Sequence, residues 1–261
     1  MSNRLGHALF EASTAGELGR LHHFLGDWDE AERCARQAVE ISRRARLPDG
    51  RLLLVLLLTG RGQLDDAQQQ VAALEELAEQ GGLDDSLNLS RAVMARAEGR
   101  PRDAMEAAGA VARDVLRTEG HFSGEFRQAW PLAVESALAA GDAGEARTLL
   151  ALVEKAPIGH LPPYLRAQLS RLAALLASTG GGDGTQTGLE TAIRMFGEYG
   201  YAYWTARAQS DLGCWLRDQG RSEEAEPLLT AAADVFRRIG AAPDLSAVQR
   251  PRSSADRAVR R

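Results

Sequence analysis

The side chains best suited to chemistry in this 261-residue chain are a cluster of aromatic rings and a scattered set of arginines. Tyr199, Tyr201, Tyr203 and Trp204 fall within six residues, in a chain that has four tyrosines and four tryptophans. Aromatic faces attract cations and cover apolar ligands, so the cluster could form a binding cage. The alternative is that the rings fill the joint between two packed helices.

Helical spacing divides the cluster into two kinds of residue. Trp204 and Trp215 share one helical face with apolar residues between them, which favours packing. Tyr203 shares a different face with Arg207 and Cys214. For Tyr203, packing and ligand contact both remain open.

Histidines, cysteines and a glycine-rich segment give weaker signals of catalysis. His22 and His23 are adjacent, so on a helix their side chains point about 100° apart and share one metal ion poorly. Cys34 and Cys214 are far apart in sequence and are interpreted as structural thiols in a reducing compartment. The segment TGGGDGTQTG lacks the lysine of a phosphate-binding loop. We therefore expect no enzymatic activity, no cofactor and no metal.

A recurring phrase predicts the elements that position these side chains. Its clear copies are GDWDEA, GQLDDA, GRPRDA, GDAGEA and GRSEEA, which begin at Gly26, Gly62, Gly99, Gly141 and Gly220. The last interval is about double, and Gly180 is interpreted as a degenerate sixth copy within it. The glycine suits a left-handed helix end, the acidic residues suit the first turn of the next helix, and the alanine permits close packing.

The apolar pattern beyond each turn has the period of a helix, and no strand alternation competes with it. We therefore predict an all-α fold, a right-handed superhelical solenoid of about six helical hairpins over residues 1–242. Residues 243–261 are predicted to form a basic, disordered tail, because the last thirteen residues carry five arginines and one aspartate and no apolar period.

These units resemble the tetratricopeptide repeat, most clearly in ELGRLHHFLGDWDEAERCARQAVEIS and DLGCWLRDQGRSEEAEPLLTAAADVFRRIG. The long form, MFGEYGYAYWTARAQSDLG followed by EAEPLLTAAADVFRRIG, resembles the repeat region of large ATP-binding LuxR-type transcription activators and of cyclase-linked regulators. The resemblance implies that the repeats sense an inducer or a partner, while separate domains bind ATP and DNA. Because neither of those domains is evident here, we expect a free-standing sensor or a fragment.

The resemblance also implies that the first helix of each hairpin lines a concave wall. Projecting each unit onto that wall gives Glu17, Arg20, His23, Ser90, Arg96, Glu135, Arg171, Tyr203, Arg207 and Arg217 as candidate partner- or ligand-binding residues. We expect Arg96, Arg171 and Arg207 to lie exposed in one channel and to hold carboxylates through forked hydrogen bonds. Because exposed positions contribute little to stability, replacing these arginines should weaken binding without unfolding the protein.

Charge and hydropathy narrow the classes of partner. The net charge is −5, and because the last thirteen residues contribute +4, the body of the chain stands at −9, which argues against direct binding of nucleic acid. The longest apolar run, at 52–58, is too short for a bilayer, and no signal peptide is evident, so we expect a cytoplasmic protein. The expected function is a non-catalytic scaffold for a protein or peptide partner, in the sensor region of a bacterial transcriptional regulator. The alternative is a receptor for a small-molecule inducer.

Overall fold

The computed structural model describes residues 2–43, 50–79, 84–157 and 159–250. Within these ranges the chain forms thirteen α-helices and no strand, which confirms the all-α prediction. The helices are α1 Ser2–Leu25, α2 Trp28–Ser42, α3 Arg51–Gly60, α4 Leu64–Ala78, α5 Asp84–Ala97, α6 Pro101–Thr118, α7 Gly124–Ala139, α8 Ala143–Glu154, α9 Pro163–Ser178, α10 Thr185–Glu198, α11 Ala202–Asp218, α12 Ser222–Ile239 and α13 Ala242–Gln249.

The first twelve helices pair in sequence order as six hairpins, from α1 with α2 to α11 with α12. Each hairpin stacks on the next, as in a helical solenoid. The number and the order of the hairpins therefore agree with the repeat phrase. The right-handedness of the superhelix stays a prediction.

The glycine of the repeat phrase ends the first helix of five hairpins. Gly26, Gly62, Gly99, Gly141 and Gly220 all have φ between 75° and 82°. In the first turn, the Asp27 N–H donates to the His22 carbonyl oxygen at 2.9 Å, and the Gly26 N–H donates to the His23 carbonyl oxygen at 3.2 Å. These two bonds satisfy carbonyl groups at the end of α1, and they require a left-handed backbone at Gly26, which glycine adopts without strain.

The fifth turn departs from this pattern. Left-handed backbone begins at Gly181, with φ of 131°, and continues at Gly182, with φ of 90°, whereas Gly180 is not among the glycines with positive φ. The Gly182 N–H donates to the Ala177 carbonyl oxygen at 3.1 Å, the bond that the residue after the phrase glycine makes elsewhere. The assignment of Gly180 to the phrase position is therefore wrong, because the cap in this hairpin lies at Gly181.

Small residues lie where the two helices of a hairpin touch: the alanine of the phrase and a small residue on the helix before it. A Cβ added to Gly19 would stand 3.1 Å from the carbonyl oxygen of Ala31, and one added to Gly213 would stand 2.7 Å from the Leu229 side chain. Ala31 is fully buried in this contact. The phrase thus records close helix approach as well as the turn.

The solenoid closes on itself. The inner helices α1, α3, α5, α7, α9 and α11 each contact the next, and α11 also contacts α1. One apolar cluster joins Trp28 and Leu53 from the first two hairpins to Tyr203 and Phe236 from the last. Since its two ends share a core, the interior of the superhelix is a partly open cavity bounded by the inner helices.

The C-terminal segment also takes part in this closure. Residues 242–249 form α13, which packs on α11, α12 and α3, and a Cβ on Gly62 would lie 3.7 Å from the Pro243 ring. The prediction of a disordered tail is therefore wrong for this stretch, because Val248 is buried and anchors the helix. Residues 251–261 of the expected tail lie outside the described residues.

Candidate functional site

The interior of the closed solenoid holds a cavity of about 680 Å³, here called the interior cavity. Its wall is built by residues of the six inner helices, by Trp28 at the start of α2, and by Pro243 and Asp244 of α13. Small-molecule sites in proteins usually measure about 300–1,000 Å³ and combine an apolar lining with a few polar groups. The size and position of this cavity make it the candidate binding site.

Half of the residues expected on the concave wall line the interior cavity: His23, Arg96, Glu135, Tyr203 and Arg207. The other five, Glu17, Arg20, Ser90, Arg171 and Arg217, are not among its lining residues. Projection of single helices thus found the correct helices, while the depth of each side chain depends on neighbouring hairpins.

Four of the five remaining residues have local roles. Arg20 donates to Glu17 one helical turn earlier, and this bond holds the pKa of Glu17 below its usual value. Ser90 is fully buried and donates to the Ser86 carbonyl oxygen at 2.8 Å, a bond internal to α5. Arg217 lies one turn after Cys214 and donates to its sulfur at 3.6 Å.

Arg171 is the largest departure from the expected wall. Its side chain is 1% exposed, so the expectation of a solvent-exposed cation is wrong. Its Nη1 donates to Glu135 at 2.6 Å and its Nε donates to Asp211 at 2.6 Å. Carboxylates on the helices at either side therefore neutralise this arginine inside the core, where an unpaired charge would be very costly.

These pairs belong to a series that runs around the inner helices. Arg96, Glu135, Arg171 and Asp211 come from α5, α7, α9 and α11, and their charges alternate. We call this series the charge ladder. Because cations alternate with carboxylates, the wall is not the continuous row of free arginines expected from the sequence.

Arg207 joins the ladder to α13. Its Nη2 donates to Glu135 at 3.3 Å and its Nη1 donates to Asp244 at 3.0 Å. Asp244 also accepts a hydrogen bond from the Tyr203 hydroxyl at 3.0 Å. The last helix is thus tied to the inner wall by one carboxylate with two donors.

Glu135 stands at the centre of this network. Burial opposes its ionisation, but the guanidinium groups of Arg207 and Arg171 outweigh burial and lower its pKa to about 2. A carboxyl that is ionised throughout the physiological range and held by two arginines is a poor proton carrier. Its chemistry here is charge compensation rather than acid–base catalysis.

Arg96 is the open end of the charge ladder. It acts on Glu135 through charge at longer range, and it makes no hydrogen bond or ion pair with any described residue. Its Nε is buried without a hydrogen-bond partner. Arg96 is therefore a cation of the cavity wall that the described residues leave available to a ligand.

Aromatic side chains form a closed series along one part of the wall, which we call the aromatic circuit. Its members in order of contact are His23, Phe24, Tyr164, Trp204, Tyr203 and Trp28. Neighbouring ring centroids are 4.9–5.9 Å apart, and the last ring contacts the first. The circuit joins α1 and α2 to α9 and α11, and so lies where the solenoid closes.

The circuit resolves the alternatives left open for the aromatic cluster. Trp204 and Trp215 both pack against the apolar core, as the helical spacing indicated. Tyr203 is buried and bonded to Asp244, yet it also lines the interior cavity. Tyr199 is 44% exposed and lies outside the circuit. Residues that pack this joint, such as Tyr203 and Trp204, therefore also form part of the cavity wall.

Three members of the circuit carry nitrogen atoms that lack a partner among the described residues: Trp28 Nε1, Trp204 Nε1 and His23 Nδ1. The indole of Trp130, in the core of the fourth hairpin, instead donates to the Leu149 carbonyl oxygen at 2.7 Å. A buried donor without a partner costs about 1–3 kcal/mol. The aromatic circuit is thus one of the places where the fold leaves buried polar groups unsatisfied; Arg51 Nε, Arg61 Nε and Ser136 Oγ, outside the cavity wall, also lack a partner among the described residues.

Burial fixes the protonation state of His23. Its side chain lies among apolar rings, and desolvation lowers its pKa to about 4. The imidazole is therefore neutral at neutral pH. It adds no charge to the interior cavity.

Several site residues were missed from the sequence, although some left a signal. Tyr164 precedes Trp204 by 40 residues, and Asp211 follows Arg171 by 40, the spacing that relates the last two hairpins. Trp28 stood inside the repeat phrase and was treated as part of a turn.

Other kinds of site find little support in the part of the chain that the structure covers. Among those residues, no three His, Cys, Asp or Glu side chains are grouped so as to hold a metal ion. The glycine-rich turn borders a second cavity, about 560 Å³, between the fourth and fifth hairpins, lined by Arg147, Glu154 and Asp183 among others. None of the helices in the described ranges is both long enough and apolar enough to cross a membrane.

Comparison with known families agrees with this architecture. A family model described as tetratricopeptide repeat matches residues 12–49 and 205–239. These two hairpins are TPR-like, and the other hairpins share their helix–turn–helix architecture. The two matched segments are the hairpins that meet where the solenoid closes. TPR-like repeats generally bind protein partners on concave surfaces. A search of curated proteins gives no match to the chain.

Proposed function

We propose that this TPR-like protein is a non-catalytic binding protein whose recognition site is the interior cavity. In this proposal it is the sensing region of a bacterial transcriptional regulator. The regulatory context rests on the resemblance of the long repeat to that of LuxR-type activators, and the location of the site rests on the geometry described above.

The observation that carries the proposal is a cavity of ligand size whose wall holds a cation without a partner among the described residues. Arg96 makes no hydrogen bond or ion pair with them, and its Nη groups are not buried. A charge inside a cavity adds nothing to stability while it stays unpaired. A ligand with suitable acceptors would pair with it.

The shape of the site favours one of the two kinds of partner left open by the sequence. Closure of the inner helices bounds the space on several sides, and its volume of about 680 Å³ suits a small molecule or the end of a peptide better than the surface of a folded protein. The small-molecule receptor, which was the alternative from the sequence, therefore becomes the better supported form of the binding function.

A thermal shift screen with sugars, nucleotides, organic acids and short peptides tests the site. Ala97 is exposed at the rim of the cavity, and Ala97→Trp would fill the entrance without burying a new polar group. We expect this variant to lose any ligand-induced rise in melting temperature. Ala110→Trp, at an exposed position on α6, is the matched control and should respond as the parent protein does.

A protein partner captured equally by the parent and by Ala97→Trp would contradict the placement of the recognition site. The regulatory context has a separate test in the gene itself. An ATP-binding or helix-turn-helix domain encoded in the same reading frame supports the sensor role. An unrelated catalytic domain in the same reading frame would argue against the sensor role.

A further inference from the structure

Arg96 lines the interior cavity without a partner among the described residues, and its guanidinium can only donate. Its Nε and the indole N–H groups of Trp28 and Trp204 are buried, so the Nη groups of Arg96 are the donors that a ligand can reach. The two carboxylates of the wall are already engaged, since Glu135 accepts from two arginines and Asp244 accepts from Tyr203 and Arg207. A complementary ligand must therefore bring acceptors.

The net charge of the residues that line the cavity also favours a ligand that brings acceptors. Arg96, Arg207 and Arg250 face Glu135 and Asp244 around the cavity, so three cations stand against two carboxylates and the balance is +1. His23 adds no charge, because it is neutral at neutral pH. A single negative charge on the ligand would balance the site.

The remainder of the wall is apolar. Phe24, Leu56, Val93, Leu132 and Pro243 line the cavity together with the rings of the aromatic circuit. Such a wall stabilises a ligand by removing apolar surface from water. The ligand that fits both parts of the site has a charged end and an apolar body.

We propose that the interior cavity binds an organic monocarboxylate with an apolar or aromatic body. Arg96 supplies the counter-charge and donates to the carboxylate through its Nη groups, while the apolar wall covers the body of the ligand. This inference rests on the proposed binding function and adds the chemical class of the ligand. Either a free small acid or the C-terminal residue of a peptide presents this chemistry.

A cation held by the aromatic rings is the main competing ligand. Aromatic cages bind quaternary ammonium groups when the ring faces converge and a free carboxylate is near. Here the rings pack mainly edge to face or tilted against one another, and Glu135 is already neutralised by Arg171 and Arg207. The observations thus favour the carboxylate.

Isothermal titration with three probes of matched body separates these ligands. The probes are 3-phenylpropanoate, 3-phenylpropanamide and 3-phenylpropyltrimethylammonium. We expect the acid to bind and the amide to bind at least about tenfold more weakly, since hydrogen bonds to a charged group are worth roughly twice those to a neutral one. Acetyl-Gly-Gly-Phe, with a free or an amidated C-terminus, distinguishes a peptide terminus from a free acid as the source.

One substitution locates the bound acid. Arg96→Gln removes the counter-charge and should weaken binding of 3-phenylpropanoate about tenfold or more. Arg102→Gln, at an exposed position on α6, should leave binding unchanged.

The outcomes separate the inference from the function on which it rests. Preference for the ammonium or the amide, or full affinity of the acid for Arg96→Gln, would overturn the carboxylate while leaving a binding cavity in place. If no probe binds at millimolar concentration and no compound of the wider screen responds to Ala97→Trp, the cavity itself is not the recognition site.

Discussion

At the scale of single residues, the interior of this protein divides polar groups into those that the fold satisfies and those that it leaves open. Arg171 is deeply buried and fully engaged by Glu135, Asp211 and Gln168. Arg96 lies near the C-terminal end of another inner helix and has no such partners. Two arginines predicted from the sequence to line one wall therefore differ: the fold engages one, and the other remains for the proposed ligand.

The first prediction concerns Arg171. Replacing it with Met leaves Glu135 and Asp211 without their shared cation, and we expect the free energy of unfolding to fall by about 3 kcal/mol or more. Urea unfolding at neutral pH measures the change, with Arg102→Met as an exposed control. A loss below about 0.5 kcal/mol would show that the buried pairs add no net stability.

His23 gives a dependence of stability on pH. Its pKa is about 4 in the native state and 6.5 when exposed, so the unfolded chain binds a proton more readily. Stability is therefore complete above pH 6.5 and falls as the pH drops toward 4, by roughly 1.4 kcal/mol per pH unit. In urea titrations between pH 6.5 and 4.5, the parent protein should lose about 2–3 kcal/mol of unfolding free energy through His23. His23→Phe should not show this loss.

Glu135 does not obscure this measurement. Its pKa is lowered from 4.5 to about 2, so the stability that it contributes is present above pH 4.5 and is lost only as the pH falls below that value. His160→Phe, at an exposed position, serves as the control for removing a histidine. Equal pH slopes for His23→Phe and the parent protein would mean that His23 is accessible to protons in the native state.

At the scale of elements, the sequence contained most of the architecture. The glycine of the repeat phrase, the acidic residues after it and the buried alanine each report a local requirement of a helix–turn–helix, so six hairpins could be predicted. The fifth turn was misassigned by one residue because several adjacent glycines could each adopt a left-handed backbone. Asp211 was missed because pairing across hairpins depends on packing, which no local pattern records.

A matched pair of glycines tests how strongly the packing constrains the turns. Gly50 and Gly220 have φ of 81° and 80°, so alanine at either position costs about 1–2 kcal/mol of backbone strain. At Gly50 the added Cβ would also lie 2.4 Å from the Ala35 carbonyl oxygen, whereas at Gly220 no atom lies within 4 Å. Thermal melts should show a clearly larger loss for Gly50→Ala. Equal losses would mean that α2 and α3 shift apart at little cost.

At the scale of the whole molecule, closure changes how the solenoid behaves. An open array of repeats is stabilised by contacts between nearest neighbours alone. Here the first hairpins share an apolar cluster with the last, and Asp244 ties α13 to the inner wall. This long-range closure could not be predicted, because the curvature of a solenoid comes from small rotations added over every repeat.

The closure can be tested by hydrogen exchange. Asp244→Ala removes the acceptor of Tyr203 and Arg207, so we expect faster amide exchange in α13 and at the C-terminal end of α3, with α6 and α8 unchanged. Asp234→Ala, whose carboxylate pairs with Arg237 on the same helix, is the control. Unchanged exchange in α13 would show that apolar contacts alone hold the helix in place.

The contact between the two ends of the chain also bears on the order of events during synthesis. Phe24 lies against Tyr164 and Tyr201, residues that leave the ribosome long after it does. At about 5–20 residues per second, the first hairpin waits roughly 10–35 s for the last one. Throughout that interval the rings of α1 are exposed to solvent, so a nascent chain stalled before α11 is the form of this protein most in need of a chaperone.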